Sequence, residues 1–217
     1  MNILVCGQSK IHVMRSIGRG VNFHDKPKMA ATLLKSIGEQ ALANQRAKSS
    51  WGEALFAAMD ELKPDYSGKV GERLLARVCQ VTGIDHVYVD DDKNSKDGTY
   101  DIVILGKKIE VKTARMGVQG GFQHENLRDA GCDFHVFVDV KPASFYVTVI
   151  PKFDMKIKHP ILGRKPHLRK GTNDVYKFDF GESNLLKSVK NGMSLKVEAE
   201  TPVEAIGDFI IAQIGRE

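Results

Sequence analysis

The hydrophobic pattern divides the chain into helical and extended stretches. From Lys28 to about Lys48 the residues are good helix formers. The segment "SSWGEALFAAMDELKP" starts a second helix, with Ser50 and Glu53 as a capping box and Pro64 as its stop. A third helix is predicted from about Ser67 to Thr82, closed by Gly83. Short blocks rich in β-formers then predict strands at His86–Asp90, Tyr100–Leu105 and Ile109–Ala114. A helix around Gln123–Ala130, closed by Gly131, separates these from strands at Phe134–Val140 and Phe145–Ile150. Residues 151–172 are rich in Pro, Gly, Lys and His and predict a long loop or excursion. Strands at 2–6, Val175–Phe180 and Leu195–Glu198 are also expected, and Thr201-Pro202-Val203-Glu204 announces a final helix. From about residue 67 to 150 the predicted order is α-β-β-β-α-β-β.

Composition narrows the class. With 217 residues, 42% hydrophobic and 27% charged, the chain matches an ordinary globular protein. No apolar run approaches the ~20 residues that span a bilayer, so no membrane partner is expected. The apolar run in "MNILVCGQSK" is too short for a secretory signal, and its "GQSK" lacks the glycine and G-K-[ST] ending of a phosphate-binding loop. Three scattered cysteines, Cys6, Cys79 and Cys132, form no C-x-x-C pair and point to a reducing cytoplasm. The net charge of +5 is localised: residues 1–50 hold eight Lys/Arg against Asp25 and Glu39, and residues 152–170 hold seven against Asp154. Such blocks suit a polyanion; solvated surface lysine is the alternative.

The stretch "TYDIVILGKKIEVKTA" places Asp101, Glu110 and Lys112 inside two apolar strands, where unpaired charge is costly. With Gly106-Lys107 as the turn, Leu105 pairs with Lys108, Asp101 with Lys112, and Val103 with Glu110. The three charges then converge within the ~5–7 Å of neighbouring cross-strand positions. Two carboxylates this close repel unless a cation lies between them. A hard divalent ion held by Asp101, Glu110 and the carbonyl of Val111 fits, and Lys112 beside it can serve an attacking water or a phosphate. A hairpin edge carrying solvent-facing charges is the alternative.

"YD" followed nine residues after its Asp by "EVK" resembles the PD-(D/E)xK nuclease superfamily, the fold of many restriction endonucleases and some junction resolvases. The resemblance covers about residues 67–150, with Tyr100 where Pro often stands. It implies an α/β (α+β) fold with a restriction-endonuclease-like core, a central mixed β-sheet flanked by helices. It implies that Asp101 and Glu110 bind Mg²⁺, with Mn²⁺ able to substitute, and that Lys112 is the catalytic lysine. Glu72 in "VGERLLARV" is the candidate for the family's additional helix glutamate; it shares a face with Leu75, Ala76 and Cys79, while a solvent-edge role is the alternative. A second E-x-K, Glu61-Leu62-Lys63, lacks a preceding acid on a partnered strand and is given a structural role. Residues 1–66 are expected as a helical N-terminal extension, 67–150 as the nuclease core, and 151–217 as a basic loop or β-arm and C-terminal helix completing the same domain.

After the hairpin, Gln123, His124 and Asn126 open the predicted helix, whose N-terminal amides and side chains would favour a phosphate. None of the seven histidines falls in a zinc-like cluster with cysteine, so no zinc site is expected. In the basic excursion, Arg164, Lys165, His167, Arg169 and Lys170 are candidates for DNA contact. The function implied is a Mg²⁺-dependent endonuclease of restriction type on double-stranded DNA, with a junction resolvase or a non-catalytic DNA-binding protein as alternatives. Cutting both strands is simplest for a homodimer. The last helix carries an apolar stripe of Val203, Ile206, Ile210 and Ile214, broadened by Phe209 and Ile211, suited to dimer contact or to packing on its own domain.

Overall fold

The computed structural model describes residues 29–42, 51–88, 100–128, 131–159, 163 and 165–215. The expectations for residues 2–6, Ser50 and Arg164 lie outside them. The first helices are α1 (Ala30–Leu42), α2 (Ala57–Glu61) and α3 (Pro64–Thr82). They precede strands β1 (His86–Tyr88), β2 (Ile102–Ile104), β3 (Lys107–Arg115), β4 (Gly121–Arg128), β5 (Phe134–Val140), β6 (Phe145–Pro151), β7 (His167–Leu168) and β8 (Val175–Gly181). Helix α4 (Glu182–Lys190), strand β9 (Ser194–Val197) and helix α5 (Val203–Ile214) follow.

Six strands form one sheet in the order β1-β2-β3-β5-β6-β9. Its pairs are antiparallel except β3 with β5, so the sheet is mixed and the fold is α+β. A second, antiparallel sheet has the order β4-β8-β7. Strand β5, "FHVFVDV", explains the layering, because every residue in it is buried. Phe134, Val136, Val138 and Val140 join the core beneath α1, α3 and α5. On the opposite face, Phe137 joins Tyr146, Phe122, Phe178 and Phe180 in a core between the two sheets.

Helix α3 lies close against β3. A Cβ added at Gly71 would stand 1.9 Å from Thr113 Oγ1, so this close approach needs glycine. Below it, the Arg115 guanidinium donates to the carbonyls of Met59 (3.2 Å), Asp60 and Leu62 (2.7 Å), capping α2 with positive charge. The described part of the N-terminal segment is thereby tied to β3, and Leu34, Phe56 and Met59 share the core with α3.

Several boundaries differ from the pattern. Pro64 opens α3 as its first-turn proline rather than ending a long second helix, which shrinks to Ala57–Glu61. The helix expected at Gln123–Ala130 is strand β4. Phe122, His124 and Leu127 point inward, and a bulge between His124 and Leu127, with Asn126 at φ 58°, breaks the two-residue alternation. That irregularity mimics helical spacing. Thr201 does not form the expected capping box: its Oγ1 accepts the Glu198 N–H at 2.9 Å, and its carbonyl accepts the Ala30 N–H at 2.7 Å. The α5 stripe of Val203, Ile206, Ile210 and Ile214 is buried in the chain's own core, leaving Ile211 exposed.

Candidate active site

The β2–β3 hairpin turns at Leu105-Gly106, whose φ values of 52° and 76° suit the tight turn that follows strand twist. Val103 therefore pairs with Lys108 and Ile102 with Ile109. The paired residues end at Ile102 with Ile109, and Asp101 lies just beyond them. This corrects the pairing of Asp101 with Lys112 and Val103 with Glu110 expected from a Gly106-Lys107 turn.

Each carboxyl has its own setting. Asp101 accepts the Val111 N–H through Oδ2 at 2.8 Å, and its own N–H donates to Ile109 at 2.8 Å. Glu110, 3% exposed, holds the Lys112 ammonium 2.8 Å from Oε1, while His135 Nε2 lies 3.2 Å from Oε2. Glu72 turns inward as its helix face predicts; Lys69 Nζ lies 2.9 Å from its Oε2, which also accepts the Tyr88 hydroxyl at 3.4 Å. Glu72, Asp101, Val111 and Lys112 line a cleft of about 570 Å³ whose other wall includes Gln123, Glu125 and Asn126.

Burial, and after it the negative charge of Glu72, push the Asp101 carboxyl up to about 6. For Glu110 burial acts upward, yet His135 and Lys112 together hold it below the usual range. An acid raised in the folded state destabilises that state once it ionises. For Asp101 the penalty is absent below pH ~4, grows as pH rises, and is complete above ~6. In EDTA, Asp101→Asn is therefore expected to raise stability at pH 7 by at most about 3 kcal/mol and by nothing measurable at pH 4. Urea unfolding of both proteins at the two pH values checks this.

The surroundings of the hairpin alter two expectations. His124 does not face a phosphate: its side chain is fully buried, with Nε2 2.9 Å from Asp139 Oδ1, and packs against the rings of Phe137 (centroids 4.6 Å) and Phe180 (5.5 Å). The inward turn of β4 at this residue places it there. Burial pushes the Asp139 carboxyl upward, opposed by His124. The expectation that no histidine clusters with cysteine also fails. Among the described residues, one group of three ligand-type atoms lies within 4.8 Å, and it is Glu110, Cys132 and His135 rather than Glu72, Asp101 and Glu110. Polar residues at 135 and 139 in an otherwise apolar strand were the signal for both constellations, and Cys132 stands one helical turn's spacing before His135.

The excursion carries β7, which pairs His167 with Lys177 and Leu168 with Tyr176. Lys165, His167, Arg169 and Lys170 are exposed, and Arg169 donates to Asn126 Oδ1 at 2.7 Å. Glu125 and Asn126 line both the main cleft and a second depression of about 270 Å³ that includes His167, Arg169, Lys170 and Lys177. The described basic side chains are thus joined to the cleft through β4.

No family model and no curated protein matches the chain. Two solved structures are similar to it in shape. One is a bacterial homing endonuclease, I-Ssp6803I, at 17% identity and a TM-score of 0.34, covering 55% of this chain and 76% of that one. The other is a restriction endonuclease in complex with substrate DNA, at 15% identity and a TM-score of 0.42, covering 77% and 81%. Among the described residues, no helix is long and apolar enough to cross a membrane.

Proposed function

We propose that the chain is a Mg²⁺-dependent DNA endonuclease of type II restriction kind, acting in the cytoplasm on double-stranded DNA as a homodimer. One observation carries this reading: Glu72, Asp101 and Lys112 line a single cleft, with Glu110 held against Lys112. The donor set fits a hard cation, because the Asp101 carboxyl is raised by burial and neighbouring acids, a repulsion that positive charge relieves. Asp101, Glu110 and the Val111 carbonyl would hold Mg²⁺, with Mn²⁺ able to substitute and Glu72 as an additional acid. When bound, the ion supplies charge stabilisation at the scissile phosphate and a more acidic water. Lys112, oriented by Glu110, presents its ammonium to the phosphate oxygen where charge builds up. Gln123 and Asn126 of the facing wall, with Lys165, His167, Arg169 and Lys170 beyond them, would position the DNA backbone.

The substrate is tested by incubating the protein with plasmid, genomic DNA and a four-way junction in Mg²⁺. Discrete bands from the duplexes support site-specific cutting, a smear indicates a non-specific nuclease, and cleavage of the junction alone indicates a resolvase. Light scattering at micromolar concentration tests the dimer. Replacing Arg164, Lys165, Arg169 and Lys170 together by Ala is expected to weaken DNA binding and to flatten its salt dependence. The log–log slope should fall by about 0.9 for each phosphate no longer neutralised. An unchanged slope would move the DNA surface elsewhere, first to the basic residues 1–50.

A further inference from the structure

We propose that Glu110, Cys132 and His135 form a binding site for a borderline-soft divalent cation of the zinc class, a second ion that shares Glu110 with the one assigned to Asp101, Glu110 and Val111. The donors are one thiol sulfur, one imidazole nitrogen and one carboxylate oxygen, the mixture that zinc accepts and that a hard ion such as Mg²⁺ has no use for. Two of their spacings match edges of a tetrahedron, and all three atoms lie within 4.8 Å of one another. Zinc bonds of ~2.3 Å to sulfur and ~2.0–2.1 Å to nitrogen and oxygen separate S from N by about 3.5 Å and N from O by about 3.3 Å. In the chain, Cys132 Sγ stands 3.6 Å from His135 Nε2, and Glu110 Oε2 stands 3.2 Å from the same nitrogen. All three residues are buried, at 5%, 0% and 3% exposure.

A second observation points to a ligand. Glu110 Oε2 is a buried carboxylate oxygen without a well-formed hydrogen bond, although His135 Nε2 is near it. The other oxygen of the same carboxylate is taken by Lys112. One face of Glu110 thus serves the cleft, and the other is aimed at Cys132 and His135. A cation on that inner face gives this oxygen a well-formed partner, releases the thiol proton and fixes the carboxylate plane that orients Lys112. The site rests on its own geometry and does not require the nuclease reading; a chain that binds zinc and cuts no DNA would keep it.

The full-length protein, stripped with EDTA and exchanged into chelator-free buffer, is titrated with Co²⁺ as a spectroscopic stand-in for Zn²⁺. The expected result is a near-ultraviolet thiolate-to-cobalt absorption from a single thiolate site, with the visible bands of tetrahedral cobalt. Zn²⁺ should displace it, and a large excess of Mg²⁺ should not. Cys132→Ser should remove the thiolate band, and His135→Gln should weaken Zn²⁺ binding by at least about tenfold, since losing a ligand costs no less than losing a ligand's hydrogen-bonding partner. Cys79→Ala should leave both intact, and far-ultraviolet circular dichroism checks each variant's folding. Absence of the thiolate band in folded wild type, its survival in Cys132→Ser, or displacement of Co²⁺ by Mg²⁺ as readily as by Zn²⁺ would each overturn the proposal. The wild-type titration decides it even where a variant fails to fold.

Discussion

Single replacement of Asp101, Glu110 or Lys112 by Ala is expected to slow Mg²⁺-dependent DNA cleavage by about 10²–10⁴-fold, the range found when one charged or proton-transferring group is removed from a reaction site. The three variants should differ in stability. Asp101→Ala loses one hydrogen bond to Val111 but also removes a carboxyl raised by burial and by Glu72, so the metal-free protein should be no less stable. Glu110→Ala leaves the Lys112 ammonium and the buried His135 ring without their shared carboxylate, so a stability loss accompanies the loss of rate. Glu110→Gln retains the shape and is the cleaner test. Lys112→Ala should leave much of the DNA affinity, because the exposed basic residues of the excursion remain. A near wild-type rate for any of the three variants would remove that residue from the reaction.

The second large effect is expected in the fold. Asp139→Ala should lower stability by about 3 kcal/mol or more, the cost of stranding one member of a buried pair. For a chain of this length that lowers Tm by about 6–12 °C. The pair bridges the layers: His124 belongs to β4 of the smaller sheet and Asp139 to β5 of the main sheet. Its loss should therefore loosen the wall of the cleft that carries Gln123 and Asn126. Asp139→Asn keeps the volume and offers both a donor and an acceptor to the ring, so its cost should be less than half as large. Calorimetric Tm values for the two variants check this, and equal losses would argue that the volume of the side chain, not its pairing, matters.

Much of this arrangement was legible in the residues, for identifiable reasons. Gly83 closes α3, where it is in the left-handed conformation, and apolar runs locate β5 and β6. Glu72 is buried because three- and four-residue spacing puts it with Leu75 and Cys79. What escaped depends on single-residue details. The turn fell one residue early because Leu105 adopts a positive φ that its side chain disfavours, and Val103 came to pair with Lys108 rather than Glu110. The bulge at Asn126 disguised β4 as a helix, which in turn hid the burial of His124. Helix α4 followed β8 without a break, although Glu182 at its start and Lys187 and Lys190 at its end suit the helix dipole. Contacts between residues distant in sequence, such as Glu110 with His135, depend on the parallel pairing of β3 and β5, which no local pattern encodes.

The central claim is that the Asp101–Glu110–Lys112 hairpin cuts phosphodiester bonds with a divalent cation. It is tested most directly by following supercoiled plasmid with purified wild type and Lys112→Ala from matched preparations, each in Mg²⁺ and in EDTA. The expected result is nicked or linear DNA from wild type in Mg²⁺ alone, with the variant at least about 10²-fold slower. Cleavage at equal rates by both proteins, cleavage in EDTA, or no cleavage of any duplex or junction by folded wild type in Mg²⁺ or Mn²⁺ would contradict it.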